Sequence, residues 1–162
     1  MPNMTTTIIK CFRDDFDRFY DMLLTQIEIC PDELWAVQEG GYPYWQQILH
    51  AVAITELYAL PEGTAPRQKR YSMSVAMLSE ATEDIMGKAE LKALAEDVRQ
   101  SVYTFLEGMT AEKLMAVNEK TTRLLKKETL YMNTLIALVR HLSYHIGCCD
   151  TILRYHGMKG VY

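Results

Sequence analysis

Apolar residues recur along this chain at steps of three and four, in long stretches separated by shorter polar ones broken by proline or glycine. The first stripe is Ile9, Phe12, Phe16, Phe19, Leu23 and Ile27, with Asp14, Asp15, Asp17 and Arg18 mainly off it. Such a pattern is the inward face of a bundle helix. That helix begins among Thr5, Thr6 and Thr7, each able to cap it, and ends before Pro31. Asp32 to Trp35 makes one short turn, and Gly40-Gly41 breaks the chain before Pro43. A second helix runs from about Tyr44 to Leu60. Its apolar residues Trp45, Ile48, Leu49, Val52, Ile54 and Leu57 cover more than one face, so it packs on several sides. Pro61-Glu62-Gly63 stops it. Thr64 to Ser74 reads as loop, and Ser72 to Met86 has helical composition. A third long helix spans Ala89 to Gly108 on the stripe Leu91, Leu94, Val98, Val102, Phe105 and Met109. Thr110 caps a brief helix to about Ala116, and Asn118 to Lys127 is polar and connects. The last helix, Leu130 to Tyr155, carries Leu135, Leu138, Leu142, Cys149 and Ile152 and ends at Gly157 and Gly160.

No period-two alternation, hairpin signal or solenoid repeat occurs. Four long helices with short extra turns predict an all-α fold, a four-helix bundle. The connections around 61 to 88 and 110 to 128 exceed hairpin length and permit crossovers. A chain of 162 residues suffices for a single domain, 1–162, with a sizeable core.

Composition changes this picture little. Apolar residues at 49% and charged ones at 23% are ordinary for a soluble globular protein. A formal charge of -4 gives no broad footprint for nucleic acid, and the basic runs at 67–70 and 123–127 read as solvated surface. No signal-peptide pattern and no apolar run of membrane-spanning length occurs, so no membrane partner is expected. The four cysteines, Cys11, Cys30, Cys148 and Cys149, lack disulfide-framework spacing and read as free thiols in a reducing cytoplasm.

Histidine carries the chemistry. There are four: His50, His141 and His145 at apolar-facing helix positions, and His156 at a helix end, where an imidazolium suits the helix dipole. One buried helix histidine is commonly a core residue satisfied by one hydrogen bond. A pair at i, i+4, such as His141 and His145, is harder to explain so, because two neutral imidazoles need partners in an apolar bundle. One divalent ion satisfies both, and His50 from another helix completes a three-histidine set with at least one open coordination position. Leu142 stands where a zincin protease needs glutamate, and no histidine has glutamate three residues before it, as a di-iron bundle requires. No phosphate-binding glycine loop or nucleophile elbow is present. Cys148 lies seven residues after His141 and Cys149 four after His145, so a thiolate could ligate; the plainer reading is two small core hydrophobes.

The segments Trp45-Gln46-Gln47-Ile48-Leu49-His50, Arg140-His141-Leu142-Ser143-Tyr144-His145-Ile146-Gly147 and Leu153-Arg154-Tyr155-His156-Gly157 resemble the DinB/YfiT-like superfamily of metal-binding four-helix bundles. They look like its helix-two histidine and its closing His-x-x-x-His-x-Gly motif, and the order of long helices extends the likeness over most of the chain. The resemblance implies a bundle with crossover connections, often a homodimer. It also implies a triad of His50, His141 and His145 binding nickel, zinc or a similar divalent ion. Members often carry glutamine just after the glycine, whereas Cys148 and Cys149 follow Gly147 here. Characterised relatives include transferases and isomerases that use a low-molecular-weight thiol. The expected function is therefore a metal-dependent thiol (S-)transferase or related hydrolase acting on a small-molecule substrate. The rivals are a non-enzymatic or stress-associated metal-binding homodimer, and an interaction module whose triad binds nothing.

Overall fold

The computed structural model describes residues 4–39 and 41–162. The described residues are all-helical: eight helices and no strand, with two isolated bridges, Gln38 to Pro43 and Val117 to Leu130. The elements are α1 Met4–Ile29, α2 Asp32–Trp35, α3 Tyr44–Ala59, α4 Met73–Ala76, α5 Lys88–Glu107, α6 Ala111–Met115, α7 Glu119–Leu125 and α8 Tyr131–Tyr155. The four long helices form a closed set of neighbours. α1 and α3 each pack against both α5 and α8.

The predicted stripes supply the core. Phe16, Leu23 and Ile27 of α1, Leu91, Val98 and Val102 of α5, and Leu135, Leu138 and Leu142 of α8 are buried together. Each fully buried aliphatic or aromatic side chain of this kind contributes about 1.5–3 kcal/mol. Ile9, Phe12 and Phe19 are only partly covered, as are Leu94 and Phe105. They sit where a stripe of steps three and four drifts around the helix toward its solvent edge.

α3 is packed on several sides, as its composition predicts, and it buries polar groups as well as apolar ones. Gln46 Nε2 donates to the carbonyls of Val75 (3.1 Å) and Glu80 (2.6 Å). The Glu56 carboxylate, 2% exposed, takes the backbone N–H of Arg67 at 3.1 Å and its guanidinium at 2.9 Å. These bonds fasten the irregular segment between α3 and α5 to the helix it leaves. Side chains thus replace the backbone ladder this segment lacks.

Several boundaries differ from the sequence reading. α1 is already helical at Met4, so Thr5, Thr6 and Thr7 lie inside it. Of Ser72 to Met86 only α4 is helical. Ser72 caps it, Leu78 turns left-handed (φ 55°), and the amides of Ser79 and Glu80 fold back onto the Ser74 carbonyl. Asn118 to Lys127 is not a mere connection: Asn118 Oδ1 accepts from Thr121 N (3.1 Å) and starts α7. The break expected at Gly40-Gly41 is described only at Gly41, whose φ of 106° suits glycine; Gly40 lies outside the described residues.

The end of α8 is built from its own sequence. Gly157 takes φ 75°, the Met158 amide reaches the Leu153 carbonyl (3.0 Å) and the Gly157 amide reaches Arg154 (3.0 Å). This is a Schellman stop. It turns residues 158–162 back along α8 onto Asp150.

Candidate metal centre

α8 is continuous through both of its inner histidines, so His141 and His145 lie one turn apart on one face. α3 lies alongside α8 and brings His50 against them. The ring centroids are 5.0 Å apart for His50 and His141, 4.7 Å for His50 and His145, and 4.5 Å for His141 and His145. One ring nitrogen from each residue lies within 4.8 Å of the others. His50 Nε2 and His141 Nε2 approach to 3.1 Å. Nitrogens about 2.0–2.1 Å from a tetrahedral ion stand about 3.4 Å apart, so small rotations of these rings would suffice to share one.

The electrostatics suit neutral ligands. Burial lowers the pKa of His50. Burial, with His50 close by, lowers His141 to about 4. Burial, with His141 and His50 close by, lowers His145 to about 3. All three rings are therefore uncharged at neutral pH, which is the ligating form. His50 Nδ1 sits 2.9 Å from the Ala76 carbonyl, so it donates there and its Nε2 lone pair faces the other rings. Nδ1 of His141 and Nδ1 of His145 are buried with no partner among the described residues. Three neutral rings sharing one mutual hydrogen bond leave buried nitrogens unpaired, which is costly. A divalent ion accepting one lone pair from each ring fits this donor set: three histidines could hold a metal ion here.

No cysteine or carboxylate joins the group among the described residues. Cys149 is fully buried and burial pushes its thiol well up, so it stays protonated as a small core hydrophobe. Cys148 is half-buried and lies near the Tyr144 hydroxyl, whose pKa it raises. Tyr144, 66% exposed, stands edge-on to the His145 ring at 5.0 Å. His156 takes no part: it caps α8, and its Nε2 meets the Glu39 carboxylate at 2.9 Å. The partner that sequence reasoning missed is Ala76, which acts through a backbone carbonyl in an irregular segment and leaves no side-chain signal.

The neutral rings imply a pH dependence. In the folded, metal-free protein His141 resists protonation until about pH 4 and His145 until about pH 3, while in the unfolded chain they protonate near pH 6.5. Between those limits the unfolded state binds more protons, so stability is full above about pH 6.5 and falls as pH drops toward 4. Urea unfolding in chelator at pH 7.5 and 5 is expected to show this loss. A His141→Leu, His145→Leu variant is expected to lose less over the same interval; equal losses would contradict the assignment.

Set beside known proteins, the chain matches no family model, and no curated protein matches it. The functional reading therefore stands on three imidazoles that two helices bring to one point.

Proposed function

We propose that the chain is a divalent-metal-binding protein of the DinB/YfiT type, a four-helix bundle with crossover connections, whose histidine centre serves a thiol (S-)transferase or a related hydrolase. The observation that carries this reading is the convergence of His50, His141 and His145 with no cysteine or carboxylate completing the set among the described residues. Three protein ligands leave at least one position for an exogenous molecule, the arrangement of catalytic rather than closed structural centres. A nickel- or zinc-like ion held there supplies Lewis acidity, lowering the pKa of a thiol or water that reaches it.

The chain's own residues prepare the site. Burial keeps the three rings neutral, and the Ala76 carbonyl fixes the His50 tautomer. Ala76 also lines an apolar cavity of about 250 Å³, together with Ala53, Leu57, Tyr71 and Met77. Pairing of protomers belongs to the same reading, and Ile136, Tyr144 and Tyr155 leave exposed apolar surface on α8 for it.

The test is metal content by mass spectrometry on untagged protein purified without chelator. Wild type is expected to carry about one ion per chain, and a His50→Ala, His141→Ala variant close to none. Equal content in the two removes the site. Cobalt(II)-substituted protein then separates the roles. A change in its visible spectrum on adding a low-molecular-weight thiol supports an open position. An unchanged spectrum shows that the thiol does not reach the ion and ends the transferase reading.

A further inference from the structure

A second cavity, of about 600 Å³, lies between the C-terminal ends of α3 and α5 and the segment of α6 and α7. Its size falls within the range of small-molecule sites. It is distinct from the histidine centre: Tyr58, on its wall, follows His50 by eight residues of the same helix, a rise of about 12 Å. Phe105 and Tyr131 pack together on another wall, with ring centroids 6.1 Å apart.

The charges around this cavity do not cancel. Arg67 is paired with Glu56, and Glu62 with Arg123. Lys113 and Lys120 also line it, half-buried, and neither makes an ion pair among the described residues. Lys120 Nζ gives one of its three N–H groups to the Leu60 carbonyl at 2.6 Å. Lys113 Nζ lies 5.3 Å from the Tyr131 ring centroid. Burial lowers the pKa of Lys120, against the opposing pull of the Glu62 and Glu56 carboxylates. Against these two cations stands one unpaired lining carboxylate, Glu119, which is exposed. The remainder is room for a single negative charge. Ser101 supplies an independent pointer: the residue is 9% exposed, lines the cavity, and its hydroxyl is buried without a partner. That hydroxyl is closed off from the cavity as the side chain stands, so a ligand would meet it only after the Ser101 side chain turned outward.

We propose that this cavity binds a small amphipathic monocarboxylate, its head on Lys113 and Lys120 and its apolar body against Phe105 and Tyr131. Charge-assisted bonds from two partly desolvated ammonium groups give such a head more than a neutral isostere could obtain. The opposing Glu119 disfavours a doubly charged phosphate.

Calorimetric titration of the 162-residue chain with phenylbutyrate tests the proposal. Saturable binding with a Kd below about 1 mM is expected. Phenylbutyramide, alike in shape but uncharged, is expected to bind at least about tenfold more weakly. Lys113→Met and Lys120→Met should each weaken the carboxylate by about tenfold. His141→Ala should leave it unchanged. Lys120→Met also loses the bond to Leu60, so Lys113→Met, with its fold checked by circular dichroism, is the deciding variant. No saturable binding to wild type, equal binding of the amide, or full affinity in Lys113→Met overturns the proposal. Binding lost in His141→Ala and kept in Lys113→Met also overturns it, by assigning the carboxylate to the histidine centre.

Discussion

Adding a divalent ion to chelator-stripped protein raises its Tm by about 5–10 °C when the free ion stands about a hundredfold above its Kd. The rise follows from linkage. The three rings meet only in the folded chain, since His50 and His141 are ninety-one residues apart. A ligand bound by the native state alone at that excess stabilises by about 2.7 kcal/mol. A chain of this length shifts by about 2–4 °C per kcal/mol. Two features bound the gain. Only His50 has a fixed outer partner, the Ala76 carbonyl, whereas His141 and His145 lack the carboxylate or carbonyl that usually strengthens a ligating imidazole. The affinity is therefore expected to be moderate, and the ion must be supplied in excess to see the full shift. Differential scanning calorimetry of wild type beside the His50→Ala, His141→Ala variant is the measurement. The variant should show no shift; an equal rise in both would mean that the ion binds elsewhere.

The two halves of the candidate centre were legible in the sequence for different reasons. His141 and His145 declare themselves by spacing, because an i, i+4 pair within an apolar stripe shares one helix face. His50 carries no spacing signal. It stood out because it lies in a helix apolar on several sides, and because of the resemblance its segment bears. The long helices were legible to within a few residues where a proline or glycine stops them, as at Pro31, Pro61, Gly108 and Gly157. What stayed hidden depends on bonds between distant residues. α7 is polar on most of its surface, so its helical nature rests on the Asn118 cap rather than on periodicity. The path from Ala59 to Lys88 is set by Gln46 and Glu56 reaching out of α3. The carbonyl that orients His50 lies on that same path, so an unreadable loop determines a readable ligand.

Asp150→Ala is expected to cost about 2–4 kcal/mol and to free the C-terminal residues. Asp150 is 4% exposed, and its carboxylate gathers three segments. Oδ1 accepts from Val161 N (2.7 Å) and from Gln26 Nε2 (3.2 Å), and Oδ2 from Tyr162 N (3.4 Å) and the Arg154 guanidinium (3.3 Å). Bonds to a charged acceptor contribute about 1.5–3 kcal/mol each, but the freed tail amides can turn to water, which caps the loss. Gln26 also donates to the Ile146 carbonyl at 2.8 Å, directly after His145. The same cluster therefore holds α1 against the part of α8 that carries the histidines. Gly160 provides an independent handle on it. A Cβ built there would overlap the Asp150 carboxylate, which its four partners hold in place, so Gly160→Ala must push the tail away. That variant is expected to lose about 1–3 kcal/mol, less than Asp150→Ala because the Gln26 bond survives. Since both substitutions break one contact, the double variant should cost clearly less than the sum of the two. Urea unfolding gives the energies, and amide exchange at Val161 and Tyr162 reports the tail. Additive losses, or protected amides in Gly160→Ala, would show that the tail is not held by Asp150.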